Sequence, residues 1–475
     1  MLGIIGGILG KAFAAILSFV ILALIGSGVM LSRAPVSLAP LAPYLEDFMD
    51  DPSWRFRVRF EDAVLRWEGW RKKLDLRVIG ARFVERGGGE LISVPSLSVA
   101  FDVQALLSGQ VRVSGLELIG PKLRLLRHAD GAIEITDESS GSGGVKGSGL
   151  HIEPGMLAGR AGEGGLDTFG DLRRLSVRGA DLSFHDVASD LRLAVPSADL
   201  SLSQEPGGVS VRLSTRLRIG QSEAAFGLSA LYRNESTAIV AAVNFAEVDI
   251  AGLANAIGGN RLDKLRGMAV VAAGRLDLSI LPNGSVDSLG FDITTGPGRL
   301  GVPQLPGETL AIAGLAAKGR FVKNFTQLNV SDLHLDLGQG LTARAGGDWS
   351  MNTGGIALRA KGNFVNLPVG ELSQYWPEDL GTGARKWVLK NVHDGLITEG
   401  RFAIDLRPGD QLLPTPRPGM ARLDWTFRDV SADYFGELPS IVAAAGSGYI
   451  DGLEFGLIVS GATAGGLQLS EGKLY

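Results

Sequence analysis

From about residue 54 onward, apolar and polar residues alternate one by one in short runs. No other feature restricts this chain so strongly. The runs include Leu74-Asp75-Leu76-Arg77-Val78, Leu97-Ser98-Val99-Ala100-Phe101-Asp102-Val103, Val111-Arg112-Val113, Leu116-Glu117-Leu118 and Leu123-Arg124-Leu125. Farther along stand Leu191 to Val195, Val209 to Leu213, Leu276 to Ile280 and Leu333 to Leu337. A two-residue period gives each run one apolar and one polar face, which is the pattern of a half-buried strand. Turn signals separate the runs: Asp130-Gly131, Pro206-Gly207-Gly208, Asn283-Gly284, Gly346-Gly347 and Gly354-Gly355. Short turns between consecutive strands predict antiparallel meanders.

At about 15 residues per strand and turn, residues 54–475 hold ~25–30 strands. Open sheets rarely exceed ~10 strands without curling, closing or splitting into sandwiches. The fold class expected is mainly β: an N-terminal transmembrane helix, then a long, curved antiparallel β-sheet forming a groove or trough, with a few short helices. From the pattern alone, closed sandwich domains are the readier arrangement, with the open trough as the alternative. Ile250–Ile257 reads as a short helix between Asp249 and Gly258-Gly259. A second helix is predicted within 379–392, and Asp102–Leu107 reads as a turn that redirects the chain.

The N-terminal segment has its own constraint. Ala12 to Leu31 is 20 residues without a charge, long enough to cross ~30 Å of hydrocarbon as a helix. It is longer than a signal-peptide core. Residues 1–33 are therefore assigned to a single-pass anchor. Lys11 on one side, and Arg33 followed by Glu46, Asp47, Asp50 and Asp51 on the other, favour a cytoplasmic N-terminus with the bulk of the chain translocated. Residues 34–53 form a Pro-containing neck. Residues 54–136 form a first β unit, 137–168 a Gly/Ser-rich flexible linker, and 169–475 an extended β region. Gly296–Gly307, with Pro297, Pro303 and Pro306, reads as an irregular patch.

Composition excludes several classes. There is no cysteine, so disulfide scaffolds, thiol nucleophiles and cysteine metal sites are absent. Net charge is −5, which gives no global basic field to gather nucleic acid. The five histidines (His128, His151, His185, His334 and His393) are scattered, and no two have metal-ligand spacing. No zinc-protease, Walker A or nucleophile-elbow motif occurs. Asp181 and Asp186 flank His185, but a surface histidine at a strand end accounts for the grouping. No enzyme activity, cofactor or metal is expected. Glycine makes up 67 of 475 residues, about twice the usual ~7%, without a collagen period.

Residues 97–135 hold a strand, the Leu106-Leu107-Ser108-Gly109 crossover, a strand ending at Gly120-Pro121, and a strand ending near Asp130-Gly131. This order resembles the AsmA-like superfamily of bacterial envelope proteins. Tyr375-Trp376-Pro377, followed by Ala384-Arg385-Lys386-Trp387-Val388 and Gly395, is similar to the YhdP-like branch. The resemblance implies a bridge-like lipid transport protein. It would be held in the cell inner membrane with its bulk in the periplasm, moving phospholipid toward the outer membrane and supporting outer membrane biogenesis and envelope integrity. YhdP-like proteins continue much farther than Tyr475, so the sequence reads as an N-terminal fragment or a short form.

Two residue sets follow. Leu74, Leu76, Val78, Leu97, Val99, Phe101, Val111 and Val113 share one strand face and are the candidate lining of a lipid groove. Trp54, Arg55, Arg57, Trp67 and Trp70 mix aromatic and basic side chains near the anchor and are candidates for contact with the membrane surface. Tyr375, Trp376 and Trp387 read as packing a helix onto the sheet, with a lid over the groove as the alternative. The partners expected are phospholipids, the inner membrane and envelope proteins. A second function remains open: a scaffold or assembly factor for outer-membrane proteins that works by β-strand addition.

Overall fold

The computed structural model describes residues 36–49, 56–67, 74–86, 90–101, 108, 113–129, 132–137, 150–152, 173–187, 191–205, 208–219, 222–233, 239–257, 263–281, 285–410, 417–434, 436 and 438–474. The expected anchor (1–33) and the turn at 102–107 lie outside them. Among the described residues, no helix is long and apolar enough to cross a membrane. The chain is mainly β, mostly antiparallel, with 29 described strands and few short helices. It divides into two units, one of residues 1–218 with 231–235 and the other of 219–230 with 236–475.

The first unit contains β1 (Val36–Ser37), α1 (Ala42–Met49), β2 (Phe56–Arg59), β3 (Asp62–Trp67), β4 (Leu74–Glu85) and β5 (Glu90–Phe101). It continues with β6 (Val113–Ile119), β7 (Lys122–Arg127), β8 (Ile133–Asp137), β9 (Leu150–Ile152), β10 (Arg174–Asp186), β11 (Leu191–Glu205) and β12 (Gly208–Ile219). The neck is more ordered than its sequence suggested. Pro40 opens a 3-10 turn that leads into α1. The strand β1 pairs with β3, and the Glu46 carboxylate accepts the Phe60 N–H at 2.9 Å.

Two expectations change at the linker. Leu150–Ile152 pairs with β8 as a strand. The strand β10 then lies parallel to β6 and β7, whereas antiparallel meanders were expected. A parallel neighbour requires a long crossover connection, and residues 128–173 supply it. The segment expected to separate two β regions is therefore part of the connection that joins β10 to the first.

A crease crosses the first unit. In β4, Gly80 has φ +65° and lies beside Pro95 of β5, because Ile79 pairs with Ser96 and Ala81 with Val94. Gly120 (φ +66°) separates β6 from β7 and donates its N–H to Arg178 O at 2.8 Å. Gly179 (φ +59°) interrupts β10 at the same level. Each interruption shifts the side-chain phase, so apolar residues facing one side stand three apart rather than two: Val78 and Ala81, Val94 and Leu97, Leu118 and Pro121, Val177 and Ala180, Val195 and Ala198. The extra residue bends the strand and keeps its apolar side facing the same way. Beyond the crease the residues are small and well buried: Ala81 and Val94 at 0%, Ala180 at 1%, Ala198 at 3% exposed.

The second unit takes most of β13 (Ser222–Arg233) and continues with β14 (Ile239–Asp249), α2 (Ile250–Ile257), α3 (Asp263–Arg266), β15 (Val271–Ile280), β16 (Val286–Thr295), β17 (Gly298–Gly301) and β18 (Thr309–Ile312). Next come β19 (Gly314–Val322), β20 (Gln327–Gly338), β21 (Leu341–Asn352), β22 (Gly355–Pro368), α4 (Leu372–Tyr375), α5 (Thr382–Asn391) and β23 (Val392–His393). The unit ends with β24 (Leu396–Leu406), β25 (Ala421–Ala432), β26 (Ile441–Asp451), β27 (Glu454–Ala464), β28 (Leu467–Leu469) and β29 (Gly472–Leu474). Both predicted helices are present. The irregular patch at 296–307 is instead half of the β17–β18 hairpin, and β16 pairs past it with β19.

Gly346 and Gly347 do not turn the chain. They lie within β21, where a Cβ on Gly347 would fall 2.3 Å from Arg359 O of the neighbouring strand. Backbone closeness, not a turn, explains the glycines.

The insertions α2–α3, β17–β18 and α4–α5 all sit at one end of these strands. Burial follows them. Val248, Val270, Ala272, Ile312, Leu341, Leu367, Val369, Val430, Ala444 and Ala462 are buried, and all lie toward that end. The opposite end is closed by shorter connections.

Candidate functional site

The geometry of the second unit defines the site. Strand register places Ala241, Leu278, Leu289, Phe321, Leu328, Trp349, Leu358 and Leu406 in one line across β14, β15, β16, β19, β20, β21, β22 and β24. A parallel line runs through Val243, Leu276, Phe291, Gly319, Val330, Gly347, Ala360 and Ile404. Neither line contains a polar side chain. Eight strands at ~4.8 Å make an apolar strip about 34 Å wide. Apart from Ala241, its side chains are half-buried rather than buried. The largest fully buried side chains among the described residues are Val78, Val94, Val248 and Pro121, with no leucine or aromatic among them. In a sheet packed against a second sheet, the mid-strand leucines and aromatics would be the buried ones.

Aromatic rings on this face lie against glycines. Phe364 pairs with Gly400, and Phe402 with Gly362 of the first strand. A Cβ on Gly400 would lie 2.1 Å from the Phe364 ring, and one on Gly362 would lie 2.4 Å from the Phe402 ring. Trp425 covers Gly448, Phe427 covers Gly446 and Phe291 covers Gly319 in the same way. Each ring fills the space of a missing side chain and lies low on the sheet, which keeps the apolar surface smooth. This is one use of the glycine excess.

The other face is charged. Between the same strands it places Asp277, Gly290, Arg320, Asn329, Asp348, Arg359 and Asp405 in line. Ion pairs tie neighbouring strands at Lys318–Asp292 (3.1 Å), Arg359–Asp405 (3.5 Å) and Arg422–Asp451 (3.4 Å), while Arg275–Asp277 (2.7 Å) runs along β15. The Arg275 hydrogen bond holds the Asp277 carboxyl below its ordinary pKa, and Arg422 does the same to Asp424. These exposed pairs fix side-chain positions more than they stabilise the fold.

The sequence-derived lining residues lie in the first unit. Leu76 pairs with Val99 and Val78 with Leu97, so they share a face as expected. They are buried (Leu76 6%, Val78 0%, Leu97 3%, Val99 6%), with Leu38 of the neck and Phe60 of the β2–β3 turn packed against the cluster. Phe101 is half-buried against the same cluster and pairs with Val113. Val111 lies outside the described residues, as do the side chains of Leu74 and Val113. Ser98, on the opposite face, is also buried at 7%. Of the membrane-surface set, Arg57 is exposed on β2. Trp54, Arg55 and Trp70 lie outside the described residues, as does the side chain of Trp67.

The histidines stay apart. His334 takes the polar face and accepts the Arg344 Nε–H at 3.2 Å, His128 contacts Glu134 at 2.9 Å, and His393 contacts Asp433 at 3.2 Å. Among the described residues no group of three His, Asp or Glu is placed to hold a metal ion. Sequence reasoning named no lining residue in the second unit, although Leu276–Ile280 carried the same alternation. The aromatic–glycine pairs between strands were the further signal.

Comparison with protein-family models, with curated proteins and with solved structures finds no match.

Proposed function

We propose that this chain is a membrane-anchored periplasmic protein that carries phospholipid along an apolar β trough toward the outer membrane, without catalysis. One observation carries the proposal: eight adjacent strands present an uncharged face whose leucines and aromatics are half-buried. A surface of this extent without a polar group favours hydrocarbon as its occupant. Each acyl CH₂ taken from water contributes ~0.8 kcal/mol. A lining of interchangeable aliphatic residues and flattened rings offers a tail similar contacts at successive positions. The apolar run at 12–31 and the AsmA-like order of residues 97–135 accord with this role.

The test is photo-crosslinking in membranes, with benzoylphenylalanine placed at Leu278 and Leu358. Asp277 and Arg359, their neighbours on the charged face, serve as controls. Lipid adducts at the first pair alone support carriage. Adducts to protein segments at both pairs would favour strand addition instead. A folded protein with no adducts at Leu278 or Leu358 would remove the lipid proposal.

A further inference from the structure

The end of the second unit that carries the insertions exposes a second, separate surface. Helix α5 packs Val388 and Leu389 inward and turns Gly383, Lys386, Trp387 and Lys390 to solvent. Trp387 is 48% exposed, and Leu380, just ahead of the helix, is 63% exposed. The expectation that Trp387 packs the helix onto the sheet is therefore corrected. Packing is done by the other side, where Arg385 donates to Trp376 O at 3.1 Å and Trp376 Nε1 donates to Leu380 O at 2.8 Å. Those bonds fix the α4–α5 turn and leave Trp387 half exposed.

The surroundings extend the surface. The Asp433 N–H donates to Asn391 O at 2.8 Å, so Tyr434 follows directly beside the end of α5. Tyr434 is 42% and Leu438 53% exposed. Pairing of Ala432 with Ile441, Ile441 with Ala464 and Ala464 with Leu467 brings Leu467, 72% exposed, to the same end. Helix α5 itself carries Arg385, Lys386 and Lys390 and no carboxylate, while Glu378 and Asp379 precede it. Lys386 and Lys390 form no ion pair among the described residues.

We infer that this end docks onto an anionic phospholipid surface. An exposed tryptophan and tyrosine suit the interfacial zone, where one part of the ring is apolar and the other meets water. Lysines beside them attract lipid phosphates. The inference concerns a different face from the trough and does not depend on what the trough carries.

The chain has no cysteine, so a single introduced thiol labels cleanly. Gly383→Cys places an environment-sensitive dye on the exposed face, where nothing lies within 4 Å. The full chain is seated in phosphatidylcholine nanodiscs, which occupy any N-terminal anchor. It is then mixed with separate vesicles carrying nitroxide-labelled lipid. With vesicles containing about a third phosphatidylglycerol, the dye should shift to the blue and be quenched. Half-molar salt or Lys386→Glu with Lys390→Glu should abolish both effects. A Thr353→Cys label at the opposite end of the strands should not respond. Equal signals with pure phosphatidylcholine vesicles, or a signal unchanged by the double charge reversal, would overturn the inference.

Discussion

The Phe364 ring lies over Gly400 of the neighbouring strand, closely enough that a methyl group on the glycine would fall 2.1 Å from the ring edge. Two residues further along, Phe402 covers Gly362, so β22 and β24 exchange rings for glycines reciprocally. Glycine costs a strand conformational entropy and side-chain contact, and the covering ring restores the contact. Gly400→Ala is expected to cost about 1–3 kcal/mol by overpacking. In a Phe364→Ala background the same change should cost under about 1 kcal/mol, because the obstructing ring is gone. Urea denaturation of the four proteins of this cycle measures the difference, and equal costs in both backgrounds would refute the coupling.

The crease predicts a second contrast. Gly179 has φ +59° and open space around a Cβ, so Gly179→Ala should carry only the left-handed backbone penalty, about 1–2 kcal/mol. Gly80→Ala meets the Glu61 side chain at 2.8 Å as well, and that side chain is held by Arg82 at 2.7 Å. Its cost should be larger, and Glu61→Ala should bring it down to that of Gly179→Ala. Denaturant midpoints of the single and double variants test the ordering.

On the apolar face, Leu278→Glu and Leu358→Glu should each reduce co-purifying phospholipid by at least about tenfold. A charge facing hydrocarbon costs roughly 2.5–3.5 kcal/mol. Arg359→Glu, one residue away on the charged face, should leave the lipid content unchanged. Mass spectrometry of extracted lipid, normalised to folded protein, reads the outcome.

The loop after β24 should respond to pH. Asp410 accepts the Arg407 N–H at 2.9 Å and pairs with Arg417 at 3.0 Å, while Asp405 meets Arg407 at 3.2 Å. The Arg407 N–H, and then Arg417, hold the Asp410 carboxyl below its ordinary pKa, and the Arg407 side chain does the same for Asp405. A lowered folded value means that the contribution is fully present above the unfolded pKa, near 3.9, and disappears as pH falls through the folded value. The difference in melting temperature between the natural protein and Asp410→Asn should therefore be flat from pH 8 to about 5 and shrink below about pH 4. A difference that grows on acidification would contradict the sign.

Strand character was legible because a period of two survives any amount of residue exchange, as Leu276–Ile280 and Leu333–Leu337 illustrate. The helix at Ile250–Ile257 was legible from its flanking Asp249 and paired glycines. Three things were not. The parallel placement of β10 depends on a long connection whose residues carry no pairing signal. The crease was written as apolar spacings of three, Val78 to Ala81 and Val94 to Leu97, which an alternation count treats as interruptions. The depth of the cluster that holds Val99 depended on side chains such as Leu38 and Phe60, which belong to neither β4 nor β5. The site proved harder than the fold, since alternation assigns a face without stating what covers it.

The apolar strip in the second unit has a genetic corollary. No single leucine in it has an irreplaceable partner, so exchanges among leucine, isoleucine, valine and methionine should pass almost unnoticed. The constraint falls on the absence of charge and on the ring-for-glycine spacing. A mutational survey scored residue by residue would see a long stretch of tolerance, broken by intolerance of charge at every second position and by the glycines under the rings.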